Sequence, residues 1–148
     1  MIVRLDHHLE KAAQAIQKIQ QPAYKVEAAL MGFEGIPQLH ETVEEIQDSQ
    51  EIFMGFLEGE LKGFISYKKE GCTIDIHRLV VAPFYFRQGI GRRLLTYLLE
   101  QYKGHDFIVS TGTANEPAKK LYESHGFIEQ DCFEVAPGVF CSCFLKRK

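Results

Sequence analysis

Apolar positions along the chain change period several times, and the changes predict the elements. "IVRL" (2–5) is a short β-branched run that predicts a strand, with Asp6 placed to cap the helix after it. Leu9, Ala12, Ala13, Ile16 and Ile19 then recur at helical spacing, predicting an amphipathic helix over 7–20 that Pro22 breaks. Tyr24, Ala28 and Met31 suggest a second helical piece, "GFEGIP" (32–37) a loop, and Leu39, Val43 and Ile46 another helical stripe. "EIFMGFLEG" (51–59) and "ELKGFISYKKEG" (60–71) read as strands joined in a hairpin around Gly59 and Glu60, and "CTIDIHRLVV" (72–81) as the next strand. Ile90, Leu94, Leu98 and Tyr102, flanked by Leu95 and Leu99, mark a strong helix ending near Lys103 and Gly104. "DFIVSTG" (106–112) is a strand and "NEPAKKLYESHG" (115–126) a short helix with Asn115 as N-cap and Pro117 in its first turn. Two closing strands, about 127–135 and 139–145, turn at "APG" (136–138). The fold class is α/β (α+β): a mixed, mainly antiparallel sheet flanked by helices, in one domain spanning 1–148.

Composition narrows the function. With 148 residues, 45% hydrophobic and 25% charged, the chain can bury a real core without staples. A net charge of −3 argues against nucleic acid as the main partner. Basic residues nevertheless gather at Arg87, Arg92 and Arg93, at Lys119 and Lys120, and in the "KRK" tail, which suits a small anionic ligand. The N-terminus has no apolar core of a signal peptide, and no stretch approaches the roughly 20 apolar residues of a membrane helix. The four cysteines (72, 132, 141, 143) fit neither a disulfide scaffold nor a zinc knuckle. The expectation is a cytoplasmic protein with free thiols and no metal.

The chemistry is concentrated in "YFRQGIGRRLL" (85–95), where two glycines stand between a strand and a helix. A helix N-terminus has unpaired N–H groups and about half a positive charge, so it binds anions. Glycine there lets a phosphate reach the main chain without meeting a Cβ. A Walker loop would need Lys-Ser or Lys-Thr after Gly91, and a dinucleotide fingerprint would need glycine where Leu94 stands. What remains is a pyrophosphate cradle centred on Gln88, Gly89, Ile90 and Gly91. Arg92 and Arg93 oppose the helix dipole there unless an anion compensates them.

"HRLVVAPFYFRQGIGRRLL" and "TANEPAKKLYESHGF" (113–127) together resemble the two coenzyme A motifs of the GNAT family of N-acetyltransferases. The first motif departs at one place: Phe86 stands where the family has Gln or Arg. The resemblance implies acetyl-CoA as donor substrate, an amine as acceptor, and direct transfer with both bound. It implies that the pantetheine arm pairs with Leu79, Val80 and Val81, on a strand splayed from 106–112. Pyrophosphate would then sit on Arg87, Gln88, Gly89, Ile90, Gly91 and Arg92. Asn115 would contact the arm, Ala118 would leave it room, and Tyr122 would lie beside the sulfur as general acid for the departing thiolate. A main-chain N–H near Val80 and Val81 would polarise the thioester carbonyl.

His77 is a candidate base, with Asp75 two residues away on the strand to orient it; a solvated strand histidine is the plainer reading. Asn115 and Tyr122 also have plainer readings, as a helix cap and a core tyrosine. The rival function is a coenzyme A-binding module on the same fold that does not turn over. The expected partner is a small-molecule or peptide amine, with no nucleic acid and no membrane; a homodimer is compatible with the sequence. The acceptor site should involve roughly 20–40 and 130–141, which carry Tyr24, Phe33, Glu34, Phe133 and Glu134.

Overall fold

The computed structural model describes residues 1–148. Seven strands form one sheet in the order β1-β2-β3-β4-β5-β7-β6. They are β1 (Ile2–Leu5), β2 (Ile52–Glu58), β3 (Glu60–Glu70), β4 (Thr73–Val81), β5 (Asp106–Gly112), β6 (Ile128–Ala136) and β7 (Val139–Lys146). Every neighbouring pair is antiparallel except β4 and β5, which run parallel across the middle.

Helices cover both faces. On one side α1 (Glu10–Met31) and α2 (Val43–Asp48) enclose a core of Ala13, Ile16, Ile46, Phe53, Phe64 and Val80. On the other, α3 (Ile90–Gln101) and α4 (Glu116–Ser124) close a larger core that includes Phe56, Ile65, Leu94, Leu98, Tyr122 and Phe144. Leu94, Leu95 and Leu98, spaced for one helical face, are fully buried, as the period of the sequence predicts.

Two expectations need correction. Pro22 does not end the first helix, which runs without a break to Met31. Ala13, Ile16 and Ile19 before the proline and Ala28 after it are all buried, so tertiary packing offsets the lost hydrogen bond. Asp6 does not cap this helix either. Leu9 holds the N-cap position, and Asp6 instead accepts a hydrogen bond from the His8 N–H at 3.3 Å. His7 is buried beside Phe53 and bonds to the Ser49 carbonyl at 2.6 Å.

Candidate functional site

The glycine turn is built by backbone conformation. Arg87 and Gly89 both have positive φ, 65° and 78°, and Gly89 is the N-cap of α3. Alternation between left-handed and ordinary residues turns successive N–H groups into one concavity, which suits an anion. Gly89 is needed for its φ. Gly91 is not needed by anything in the protein: a Cβ there would lie 3.6 Å from Leu121 and 3.8 Å from Val81, ordinary contact distances. Its missing side chain therefore leaves room for something else. The first turn of α3 carries no acidic residue; Arg93 stacks on the Phe56 ring at 4.6 Å, and Arg87, Gln88 and Arg92 are exposed. Ile90 belongs to the core beneath the turn. Phe86 is 41% exposed, and the turn after it has positive φ at Arg87 and Gly89.

The second component is a gap in the sheet. β4 and β5 pair only from Thr73↔Asp106 to Ile76↔Val109, whereas β4 continues to Val81 against β3, and β5 continues to Gly112 against β7. Leu79, Val80 and Val81 thus have one free edge, facing β5. The Ala82 N–H donates toward β3, to the Lys62 carbonyl at 2.9 Å. Strand alternation turns the Val81 N–H the other way, into the gap. An extended polyamide arm would pair with this edge like an added strand. The residues present therefore fit coenzyme A, by a free strand edge that leads to an anion-binding turn.

The third component lies at the α4 end of the gap. Asn115 caps α4, its Oδ1 accepting from the Ala118 N–H at 3.3 Å, while its Nδ2 donates to Glu27 Oε1 at 2.8 Å. One of its amide protons is therefore already engaged by α1. Ala118 is half-buried next to the larger core. Tyr122 is 5% exposed, flanked by Phe127 and Phe144 at ring distances of 5.6 and 6.0 Å. Burial, and then the nearby Glu27 charge, pushes its phenol well above the ordinary tyrosine value. It stays protonated at any physiological pH.

Glu27 was not singled out by the sequence. Gln20, Tyr24, Glu27 and Met31 are spaced by four, three and four residues along one helical face, a stripe visible only once α1 is read through Pro22. The Glu27 carboxylate also accepts from Thr111 at 3.5 Å, has no cation beside it, and is raised above the usual carboxylate range by burial.

His77 interrupts the pairing of β4 with β3. Ser66 pairs with Arg78 and Tyr67 with Ile76, so His77 is the extra residue of a β-bulge. The bulge switches the faces of β4: Ile74 and Ile76 enter the larger core, but Arg78 and Val80 point to the α1 side. Asp75 and His77 therefore do not share a face with Leu79 and Val81. The imidazole does lie near Asp75, at 3.3 Å, and near Glu51, at 3.7 Å.

Arg78 was also missed, although a cation inside "IHRLVV" is itself a signal of buried pairing. Its guanidinium bonds to Glu41, to Glu51 at 3.0 and 3.1 Å, and to Gln20 at 2.9 Å, so it ties α1, the segment before α2, and the residue just ahead of β2 to β4.

The profile of the acetyltransferase (GNAT) family matches residues 13–127, and the chain belongs to that family. It is 41% identical over 146 residues to the UPF0157 protein YqkA of Bacillus subtilis, covering 97% of this chain but only 43% of that protein. The chain thus spans less than half the length of that relative. Its fold is similar to the ribosomal-protein-S18-alanine N-acetyltransferase of Escherichia coli, with a TM-score of 0.75 at 20% identity over 98% of this chain and 91% of that one. It is equally similar to the PaiA N-acetyltransferase of Thermoplasma acidophilum, solved with coenzyme A, with a TM-score of 0.75 at 19% identity over 97% and 96%. No helix is long and apolar enough to cross a membrane.

Proposed function

We propose that this chain transfers the acetyl group of acetyl-CoA to an amine, with donor and acceptor bound together and no covalent enzyme intermediate. The observation that carries this reading is the β4–β5 gap, whose free edge at Leu79–Val81 leads to the turn at Arg87–Gly91. Acetyl-CoA, when bound, supplies an activated thioester. The chain supplies the rest. The turn and the N-terminus of α3 hold pyrophosphate, with Arg87, Gln88 and Arg92 around it. The Val81 N–H is aimed to donate toward the thioester carbonyl as negative charge develops there. Tyr122 holds a proton for the leaving sulfur. A relative named for the alanine of ribosomal protein S18 shares the fold, and an amine on a peptide or small molecule is the acceptor class we adopt.

The test is thiol release from acetyl-CoA in the presence of spermidine, kanamycin and a peptide with a free N-terminal alanine. Binding of acetyl-CoA without release with any of them would support the rival, a coenzyme A-binding module.

The cradle has its own check. At about 100 times Kd, acetyl-CoA should stabilise the wild type by about 2.7 kcal/mol, a melting shift of several degrees. Gly89→Glu places a carboxylate against the pyrophosphate and should abolish that shift. Gly91→Ala fits the protein's own packing, so it should fold normally yet weaken the ligand's shift. Unchanged shifts in both variants would rule out pyrophosphate at this turn.

A further inference from the structure

The acceptor must lose protons, and the structure offers two carboxylate-linked places where one could go. His77 lies four residues before Val81 on β4, roughly 13 Å along an extended strand. It is also drawn toward Asp75 and Glu51. Glu27 is better placed. It bridges Thr111 on β5 and Asn115 at the head of α4, both beyond the last β4–β5 pair at Ile76↔Val109. It thus spans the mouth of the gap from the α1 side, while Tyr122 belongs to the core on the opposite side of the sheet. We propose that the Glu27 carboxylate receives the acceptor's ammonium group and takes a proton from it. This rests on the acetyl-transfer reading above.

The surroundings explain why an ammonium would settle there. Tyr24 faces Glu27 from its own helix, Tyr122 from α4 and Cys141 from β7, and all three are neutral, with titrations raised first by burial and then by the Glu27 charge, with further rises at Tyr24 and Cys141 from other neighbours and a lowering at Tyr24 from Arg78. Arg78 on β4 acts on Tyr24, but it is already saturated by Glu41 and Glu51. A half-buried carboxylate with hydrogen bonds and no counter-cation is an incomplete ion pair. A primary ammonium supplies the missing charge.

The protons balance. An ammonium carries two protons more than the amide nitrogen it becomes. Glu27 takes the first and frees the nitrogen lone pair. The C–N bond forms and the C–S bond breaks, with its electrons going to sulfur, and Tyr122 protonates the thiolate. The second nitrogen proton restores Tyr122 through solvent, and Glu27 releases its own to solvent, so one proton is lost per turnover.

Glu27→Gln is the discriminating variant, because the amide oxygen still accepts from Asn115 and a purely structural role would survive. With the best acceptor among spermidine, kanamycin and the alanine peptide, kcat/KM should fall about 100-fold, and Glu27→Asp should recover part of it. The acetyl-CoA melting shift should remain. In the wild type, kcat/KM should rise as Glu27 ionises and level off well below the amine's own pKa of ~10.4; in Glu27→Gln it should climb toward that value instead. A readout without substrate is available. The folded-state titration of Glu27 is raised, so its ionisation removes stability as pH climbs from the ordinary carboxylate value through the folded one. Glu27→Gln should therefore melt higher than wild type at neutral pH. Wild-type rates and an unchanged pH profile in Glu27→Gln would overturn the proposal, as would loss of the acetyl-CoA shift along with activity. Loss of the limb in His77→Gln alone would move the role to the strand histidine. No thiol release by the wild type with any amine would instead remove the acetyl-transfer reading, and this role with it.

Discussion

Arg78→Met should destabilise the fold by about 3–5 kcal/mol, lowering the melting temperature by about 10 °C. The methionine fills most of the volume, so the loss is electrostatic: two carboxylates, Glu41 and Glu51, keep their burial and lose their cation. The pH dependence separates this from a packing defect. Burial pushes Glu51 upward, but hydrogen bonds from Arg78 and Ser66 outweigh it, and Glu51 titrates below the ordinary carboxylate range. A depressed carboxylate adds stability above its unfolded pKa and loses it as pH falls through the folded one. The wild type should therefore weaken on acidification. In Arg78→Met the unpaired Glu51 should favour protonation, so the deficit should shrink toward low pH. Denaturant melts at pH 4 and pH 7 would decide this, and an equal deficit at both would point to packing.

Tyr122→Phe should lower kcat about 100-fold while acetyl-CoA affinity stays unchanged. The substitution removes one hydroxyl from a ring already surrounded by Phe127 and Phe144, so the core should tolerate it. The raised phenol is a weak acid, and proton transfer from it to a thiolate whose thiol has a pKa of ~8.5 is uphill in water. It becomes useful only as charge forms on a desolvated sulfur, an interaction present in the transition state and absent in the ground state. Single-turnover rates and cofactor titrations on the pair of proteins test this; rates within a few-fold of each other would return Tyr122 to the core alone.

The sequence carried most of the strand and helix order because each element has a clear period and its own stops. Gly59, Gly89, Gly104, Gly126 and Gly138 all stand at positive φ, where punctuation was read. It failed at Pro22, where a local rule competes with burial along a long helix, and that failure also hid Glu27. The cradle was legible because its residues are contiguous. The His77 bulge was not, because a bulge is a mismatch between two strands: "TIDIH" alternates and the polar pair His77-Arg78 breaks the period, but only pairing with β3 shows that the break is one residue too many. Glu27, Thr111, Asn115 and Tyr122 come from three elements, and no spacing rule joins them.

The short seam between β4 and β5 has a mechanical meaning. Within the sheet, four residue pairs join β1–β4 to the β5-β7-β6 half, and the larger core carries the rest of the contact between them. A polyamide lying in the gap would act as a splint, bonding to β4 while pressing on α4. Opening of the two halves should then be a sub-global event of lower energy than unfolding, and acetyl-CoA should suppress it. Hydrogen exchange would show this as slowed amides on both sides of the gap, at Leu79 and Val81 and along β5 and β7, including groups the ligand never touches. Protection confined to Leu79, Val81 and the glycine turn would mean that the halves already move as one body.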